Sequence, residues 1–275
     1  MISQELEFHA PATLEEAVEL LGRRDECKLL AGGMSLVPAM NLGLARPAAV
    51  VSLNHVAGLE YVQEGDEAIR IGAMTRHARV ASDPAIGRAF PLLARAASVI
   101  GDVQVRNRGT IGGSVAHADP AADYLPVLLA LGATFRLVGP AGERRVPARE
   151  FFRGVMETAL AADEILAEVE LPRLSDGTGS AYLRLARLEG SFPIANAAAI
   201  VDGGQAVVAV GGATAAPFLV ELDGGESSEE IEAKARAGAE GAFADLSASA
   251  EYRRAMAAVY ARRAFEAAAA ARGGS

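Results

Sequence analysis

The 275-residue sequence contains a single cysteine, Cys27. One thiol excludes an internal disulfide and an iron–sulfur cluster held by four cysteines. Histidine is nearly as scarce. His9, His55, His77 and His117 show neither His-x-x-x-His nor His-Glu-x-x-His spacing, which leaves a zinc site without support. Basic charge is short as well. The chain has 26 Lys and Arg against 35 Asp and Glu, a net charge of −9. That argues against a general nucleic-acid binder, which needs cationic surface to displace counterions. No apolar run reaches the roughly 18 residues of a membrane span. Met1 to Ala10 has no basic region followed by an apolar stretch, so no Sec signal is expected and the cytoplasm is the expected compartment. A Gly-x-Ser-x-Gly elbow, a Gly-x-Gly-x-x-Gly after a strand and a P-loop are all missing. Difficult chemistry would therefore fall to a bound organic cofactor.

Glycine is plentiful, with 29 residues, and half of the chain is apolar, ample for a core. The pairs Gly203-Gly204, Gly211-Gly212 and Gly224-Gly225 read as turns. Two other pairs have a small hydroxylated neighbour: Ala31-Gly32-Gly33-Met34-Ser35-Leu36 and Thr110-Ile111-Gly112-Gly113-Ser114. Taken alone, each is also most simply a turn. Glycine, lacking Cβ, lets backbone N–H groups approach a polyanion closely. Successive N–H groups form an anion-binding nest, with Ser or Thr hydroxyls as further donors.

The surrounding pattern gives the loops a setting. Glu5 to His9 reads as a strand. Thr13 and Glu16 form a capping box for a helix with a Leu14, Ala17, Val18 and Leu21 stripe. Lys28 to Leu30 is a strand entering the first loop, Ser35 to Leu42 a short helix leaving it, and Ala49 to Leu53 a third strand. A helix start at that loop would favour a phosphate. A second unit begins near Tyr61. It holds a strand over 68–72, a short helix over 75–81 and a longer one over 91–100, an apolar helix over 121–131, and strands over 134–138, 145–146 and 165–171. Leu174 to Gly179 is the clearest linker, and a domain boundary is placed near 176. Beyond it come strands over 181–188, 194–201 and 206–210, then helices from about Ser228 and Ser249. In the last helix Tyr252, Met256, Val259 and Tyr260 are expected to pack in the core. Arg253, Arg254, Arg262 and Arg263 are expected in solvent, and Gly273-Gly274-Ser275 as a loose end. The fold class is α+β.

The string from Val105 to Asp123, Val-Arg-Asn-Arg-Gly-Thr-Ile-Gly-Gly-Ser-Val-Ala-His-Ala-Asp-Pro-Ala-Ala-Asp, is more specific. With Leu-Ala-Gly-Gly-Met-Ser-Leu, Thr-Leu-Glu-Glu-Ala, Gly72-Ala73-Met74-Thr75 and Asp163-Glu164-Ile165-Leu166, it resembles the FAD-binding medium subunit of the molybdenum hydroxylases. That family includes xanthine dehydrogenases and aerobic carbon monoxide dehydrogenase. The resemblance runs over nearly the whole chain. It implies a vanillyl-alcohol-oxidase-like (PCMH-type) FAD-binding domain over 1–176, in two subdomains of about 1–56 and 57–176. A smaller α+β C-terminal domain of the carbon monoxide dehydrogenase flavoprotein type would cover 177–275.

It further implies that Ala31, Gly32, Gly33, Met34, Ser35 and Leu36 form one wall around the FAD pyrophosphate, and Thr110, Ile111, Gly112, Gly113 and Ser114 the other. Asp123 would accept hydrogen bonds from cofactor hydroxyls. Its alternative is a helix N-terminal acid favoured by the dipole, a role Asp119 fits better. Ile100 and Leu166 fall where relatives contact the cofactor, and equally suit a core. Arg184 would bring positive charge to the flavin, or else point to solvent. His117 lies where it could touch the cofactor, but local packing is the simpler role for it. Arg106 and Arg108 balance phosphate charge or face water or a partner. Relatives commonly carry a polar residue where this chain has Met34, and often Asn or Asp in place of Ser114. Backbone binding of phosphate survives both changes.

The resemblance implies an oxidoreductase subunit with no acid–base catalyst of its own. It would belong to a dimer of heterotrimers, a heterohexamer. A large partner would carry the molybdenum cofactor and choose the substrate: carbon monoxide, a purine, an N-heterocycle or an aldehyde. A small partner would carry iron–sulfur clusters, and electrons would pass from it to an external acceptor. The rival readings are a stand-alone flavin oxidoreductase of the same fold and a non-catalytic nucleotide-binding scaffold.

Overall fold

A computed structural model describes residues 5–23, 26–222 and 224–272; Gly273-Gly274-Ser275 lie outside them. The chain forms three main sheets in sequence order.

The first is parallel, with order β1-β3-β2. It runs through β1 (Glu7–His9), α1 (Leu14–Gly22), β2 (Cys27–Leu30), α2 (Leu36–Asn41) and β3 (Ala49–Ser52). The Thr13 hydroxyl accepts from Glu16 N at 3.2 Å and so starts α1. The Glu16 carboxylate reaches back to Ala12 N at 3.0 Å, one residue before the position a capping box prescribes. Ala17, Val18 and Leu21 form the buried stripe of α1.

The second sheet is antiparallel, with order β4-β5-β10-β6-β7. Its first strands are β4 (Val62–Glu64) and β5 (Ala68–Gly72). Six helices follow: α3 (His77–Ser82), α4 (Pro84–Ala89), α5 (Pro91–Ser98), α6 (Val103–Arg108), α7 (Ile111–His117) and α8 (Tyr124–Ala130). Then come β6 (Thr134–Gly139), β7 (Gly142–Pro147), α9 (Ala148–Phe151), the small hairpin of β8 (Phe152–Gly154) and β9 (Glu157–Thr158), and β10 (Ile165–Pro172). Strand alternation divides the two faces. Ile69, Ile71, Phe135, Leu137, Val169 and Leu171 enter the main core against the helices. The other face carries arginine–glutamate pairs such as Arg70–Glu170 at 2.7 Å and Arg145–Glu170 at 2.8 Å.

The third sheet is a meander of β11 (Gly179–Leu185), β12 (Ala195–Asp202), β13 (Gln205–Gly211) and β14 (Phe218–Val220), packed under α10 (Ser228–Gly238) and α11 (Ala250–Ala271). Here the sequence expectation holds only in part. The buried face of α11 consists of Ala257, Ala258, Ala261, Ala264 and Ala268, while Tyr252 is 46 % exposed. Small side chains let the helix lie close on the strands, so the bulky stripe sits at the flank: Met256, Val259 and Tyr260 are half-buried, and Tyr260 packs against this core. Arg253, expected in solvent, is 2 % exposed. It donates to Ile194 O at 2.8 Å and Gly212 O at 2.6 Å, pairs with Asp245 at 2.5 Å, and stacks over Phe243. Its charge is buried because it ties off loop carbonyls that would otherwise lack donors.

Candidate functional site: two braced glycine loops

The first glycine loop leaves the carboxyl end of β2 and enters α2. Gly33 has φ +77°, a left-handed conformation that disfavours a side chain. Among the described residues, no backbone N–H from Gly32 to Leu36 donates to a protein acceptor. Ser35 stands at the N-cap of α2 without a capping bond, and both it and Met34 are exposed. The loop therefore holds five consecutive N–H donors and one hydroxyl that none of the described residues satisfies.

The second glycine stretch is not a loop but the first turn of α7. Its N–H groups from Ile111 to Ser114 are all committed. Ile111 N donates to Thr75 O at 3.0 Å, Gly112 N to Ala73 O at 2.8 Å, Gly113 N to the Thr110 hydroxyl at 3.1 Å, and Ser114 N to Thr110 O at 3.1 Å. Its glycines serve close approach. A Cβ on Gly112 would sit 2.4 Å from Ala73 Cβ and 2.7 Å from Ala73 O. One on Gly113 would sit 2.8 Å from Thr110 Oγ1 and 3.4 Å from Ala31 Cβ. Similarly, a Cβ on Gly32 would fall 2.3 Å from Arg108 O, so the two stretches touch.

Two residues that the sequence reading missed bolt them together. Asn54 Nδ2 donates to Ala31 O at 3.1 Å, and Arg76 donates to Asn54 Oδ1 at 2.9 Å and to Arg108 O. Both had a signal. Asn54 lies just past β3, and ligands gather at the carboxyl ends of parallel strands. Arg76 directly follows the Gly72-Ala73-Met74-Thr75 turn. Burial pulls the Arg76 guanidinium below its usual pKa.

His77 completes the brace. Its backbone N–H donates to Gly109 O at 3.0 Å, and its buried ring bonds Tyr124 Oη through Nδ1 at 3.0 Å. Burial, helped by Arg76 and Arg106, pushes this imidazole down to about 4, so it is neutral at physiological pH. His117 is half-buried at the end of α7. Arg106 caps Ile100 O at 3.0 Å and Gly101 O at 2.9 Å, while Arg108 is exposed.

Asp123 and Arg184 are brought together in a second cluster. Arg184 Nε lies 3.0 Å from Asp123 Oδ1, though its N–H is not aimed at that oxygen. The guanidinium also donates to Val99 O at 2.9 Å and to Ser191 O, so Arg184 does not point to solvent. Burial pushes the Asp123 carboxyl up to about 6, against the opposing pull of Arg184 and Tyr182. Neither acid caps α8. Asp123 makes no side-chain cap bond, and Asp119 instead accepts from Ala121 N at 2.9 Å. Ile100 packs half-buried against the main core, beside the Val99 carbonyl that Arg184 holds. Leu166 is 4 % exposed and faces that core from β10, opposite Leu137. A cavity of about 490 Å³ lies elsewhere, between Arg88, Arg173 and Thr178. Both of its arginines pair with Glu64, leaving no free cation for a ligand.

Adjacent unpaired N–H groups beside a hydroxyl suit a pyrophosphate, so the donor set fits a dinucleotide such as FAD. Comparison with known proteins agrees. Residues 4–174 match the FAD binding domain in molybdopterin dehydrogenase. The chain is 38 % identical to the carbon monoxide dehydrogenase medium chain of Hydrogenophaga pseudoflava, covering 98 % of both. It is 37 % identical to the nicotine 6-hydroxylase medium subunit of Paenarthrobacter nicotinovorans, over 90 % of this chain and 92 % of the other. The solved carbon monoxide dehydrogenase from Hydrogenophaga pseudoflava superposes with a TM-score of 0.94 at 38 % identity, over 99 % of this chain and 100 % of that one. Quinoline 2-oxidoreductase from Pseudomonas putida 86 gives 0.89 at 30 % identity, over 98 % and 99 %. The architecture is thus that of an α+β, PCMH-type flavin-binding protein. The chain belongs to the family of FAD-binding subunits of the molybdenum hydroxylases, and is an oxidoreductase subunit with FAD as its cofactor.

Proposed function

We propose that this chain is the electron-transfer medium subunit of a multi-subunit molybdenum hydroxylase. A large partner would hold the molybdenum cofactor and a small partner the iron–sulfur clusters, in a cytoplasmic dimer of heterotrimers. Electrons arriving from the small partner would leave through this subunit to an external acceptor. FAD bound here supplies a store for an electron pair.

The observation that carries the reading is the row of unpaired N–H groups from Gly32 to Leu36, beside a second glycine stretch that holds it in place. The first loop would bind the pyrophosphate through backbone donors and the Ser35 hydroxyl. That chemistry does not depend on the side chain of Met34. Thr110 to Ser114 would act as the buttress, with Ser114 the residue of that stretch whose side chain is open to a ligand. Asp123 would accept from cofactor hydroxyls, and the Arg184 charge beside it would favour electron-rich groups nearby. Ile100 and Leu166 would border the site from the core side. The FAD-binding domain would end near residue 176, at the linker.

Purification of the native complex tests this. Stoichiometric flavin on this chain, with molybdenum and iron in co-purifying chains, is the expected result. A flavin-free chain would overturn the reading. Turnover of a small substrate by the isolated chain at the rate of the complex would replace it with a stand-alone oxidoreductase. Flavin that bleaches with dithionite but never during turnover would point to a scaffold.

A further inference from the structure

We propose that Tyr182, carried by the third sheet, is a positioning residue for Asp123: it loads one carboxylate oxygen and leaves the other to accept a cofactor hydroxyl. The inference rests on Asp123 being a cofactor ligand, as proposed above, and goes beyond it by naming what sets the orientation of that carboxylate.

The direction of the hydrogen bonds follows from chemistry. Asn196 Nδ2 lies 3.4 Å from Ala122 O and 3.2 Å from Tyr182 Oη. A backbone carbonyl can only accept, so the amide nitrogen must face it, and that nitrogen can only donate. The phenol therefore receives a proton from Asn196 and gives its own to Asp123 Oδ1, at 2.5 Å. Arg184 Nε approaches that same oxygen at 3.0 Å. Both side-chain contacts fall on Oδ1; the carboxylate also accepts from its own backbone N–H, and among the described residues no side chain reaches Oδ2. Asn196 is fully buried, and Tyr182 and Asp123 are each 5 % exposed, so the relay is shielded from competing water. Such a chain sets the rotation of the carboxylate, because turning it would strand a buried phenol proton.

Three of the four residues come from one sheet, and the acid comes from outside it. Tyr182 and Arg184 share β11, with their neighbour Asn196 paired opposite Arg184 on β12. Asp123 precedes α8 in the preceding unit. The acid is thus oriented by residues some sixty or more positions later in the chain.

The test is a double-mutant cycle on the purified complex, with FAD affinity of the deflavinated protein measured by fluorescence titration. Tyr182→Phe is expected to weaken FAD about tenfold, the scale of one charge-assisted hydrogen bond. Asp123→Asn should weaken it at least as much. The double variant should bind no worse than Asp123→Asn alone, because Tyr182 acts only through the carboxylate. Additive losses would overturn the proposal, as would unchanged FAD affinity in Tyr182→Phe with a lowered melting temperature. Asn196→Ala, which removes the donor behind the phenol, should weaken FAD in the same direction by less, and an unchanged affinity there counts against the relay. If Asp123→Asn binds FAD normally, the ligand reading of Asp123 falls first and this inference with it. A weakened Asp123→Asn beside an unaffected Tyr182→Phe overturns the positioning role alone.

Discussion

The two glycine stretches look alike in sequence and do opposite things. Ala31 to Leu36 keeps its N–H groups unspent, whereas Ile111 to Ser114 spends every one on Thr75, Ala73 or Thr110. In the first, Gly33 supplies a left-handed turn beside donors that no described residue satisfies. In the second, it removes the Cβ atoms that would hold α7 away from Ala73 and Ala31. A Gly-Gly pair therefore marks either a binding surface or a tight contact, and the neighbours decide which. The difference predicts that substitutions in the first loop cost cofactor affinity, and those in the second cost folding.

Among the glycine and hydroxyl substitutions, the largest loss of stability is expected at Gly112. Gly112→Ala places a methyl against the Ala73 backbone, and overpacking of this kind costs about 2–3 kcal/mol. Calorimetry of the FAD-free protein should show it. A normal melting temperature would mean that the second stretch is not a buttress.

Acidification probes the same brace. The His77 pKa is lowered to about 4 in the folded protein from an ordinary 6.5. The unfolded chain therefore binds the proton first, and stability falls as pH drops from about 6.5 towards 4, by roughly 3 kcal/mol for a shift of this size. Asp123, raised to about 6 from 3.8, works the other way. Its proton binds more tightly in the folded state, so its contribution declines as pH rises from about 4 to 6. His77→Gln should remove the acid loss and leave a protein whose stability increases on mild acidification. Denaturation midpoints across that window would sink the assignment if both proteins lose stability in parallel.

Smaller effects separate the loops directly. Gly33→Ala meets only the side chains of Leu30 and Val37 at 3.3 Å, but forces a left-handed alanine. The strain costs about 1 kcal/mol, while FAD affinity should drop more than this loss of stability explains. Thr110→Val removes a helix cap, worth about 1 kcal/mol of stability. The smallest change belongs to Ser35→Ala. It should weaken FAD severalfold, as one neutral hydrogen bond does, with an unaltered melting temperature. If Ser35→Ala destabilises the protein and Thr110→Val alters only FAD binding, the comparison of the two stretches is backwards.

Much of the architecture was legible because it is written in local pattern. The Lys28 to Leu30 strand, the glycine loop and the helix after it follow from strand run, turn residues and apolar spacing. So does the β12–β13 hairpin at Asp202-Gly203-Gly204. Helix α6 carries no helical signal of its own in the sequence, and the second glycine stretch has the pattern of a loop but is helical. Its helical state depends on Thr110 capping and on acceptors at Ala73 and Thr75, which are remote in sequence. Helix α11 is legible, but its most buried face is the alanine one and not the bulky stripe. Periodicity alone favours a bulky stripe, and it cannot register that an alanine face packs closer to a sheet.

What the sequence determined by itself was the family, the cofactor class and the two stretches of chain that matter, since these reside in contiguous motifs. Only the tertiary structure decided how the stretches divide their labour. It alone showed that Asn54 and Arg76 join them, that Asp123 meets Tyr182 and Arg184, and that Arg253 is buried. The reason is physical: a donor is free or spent according to which acceptors the fold brings within about 3 Å, and those acceptors lie tens of residues away.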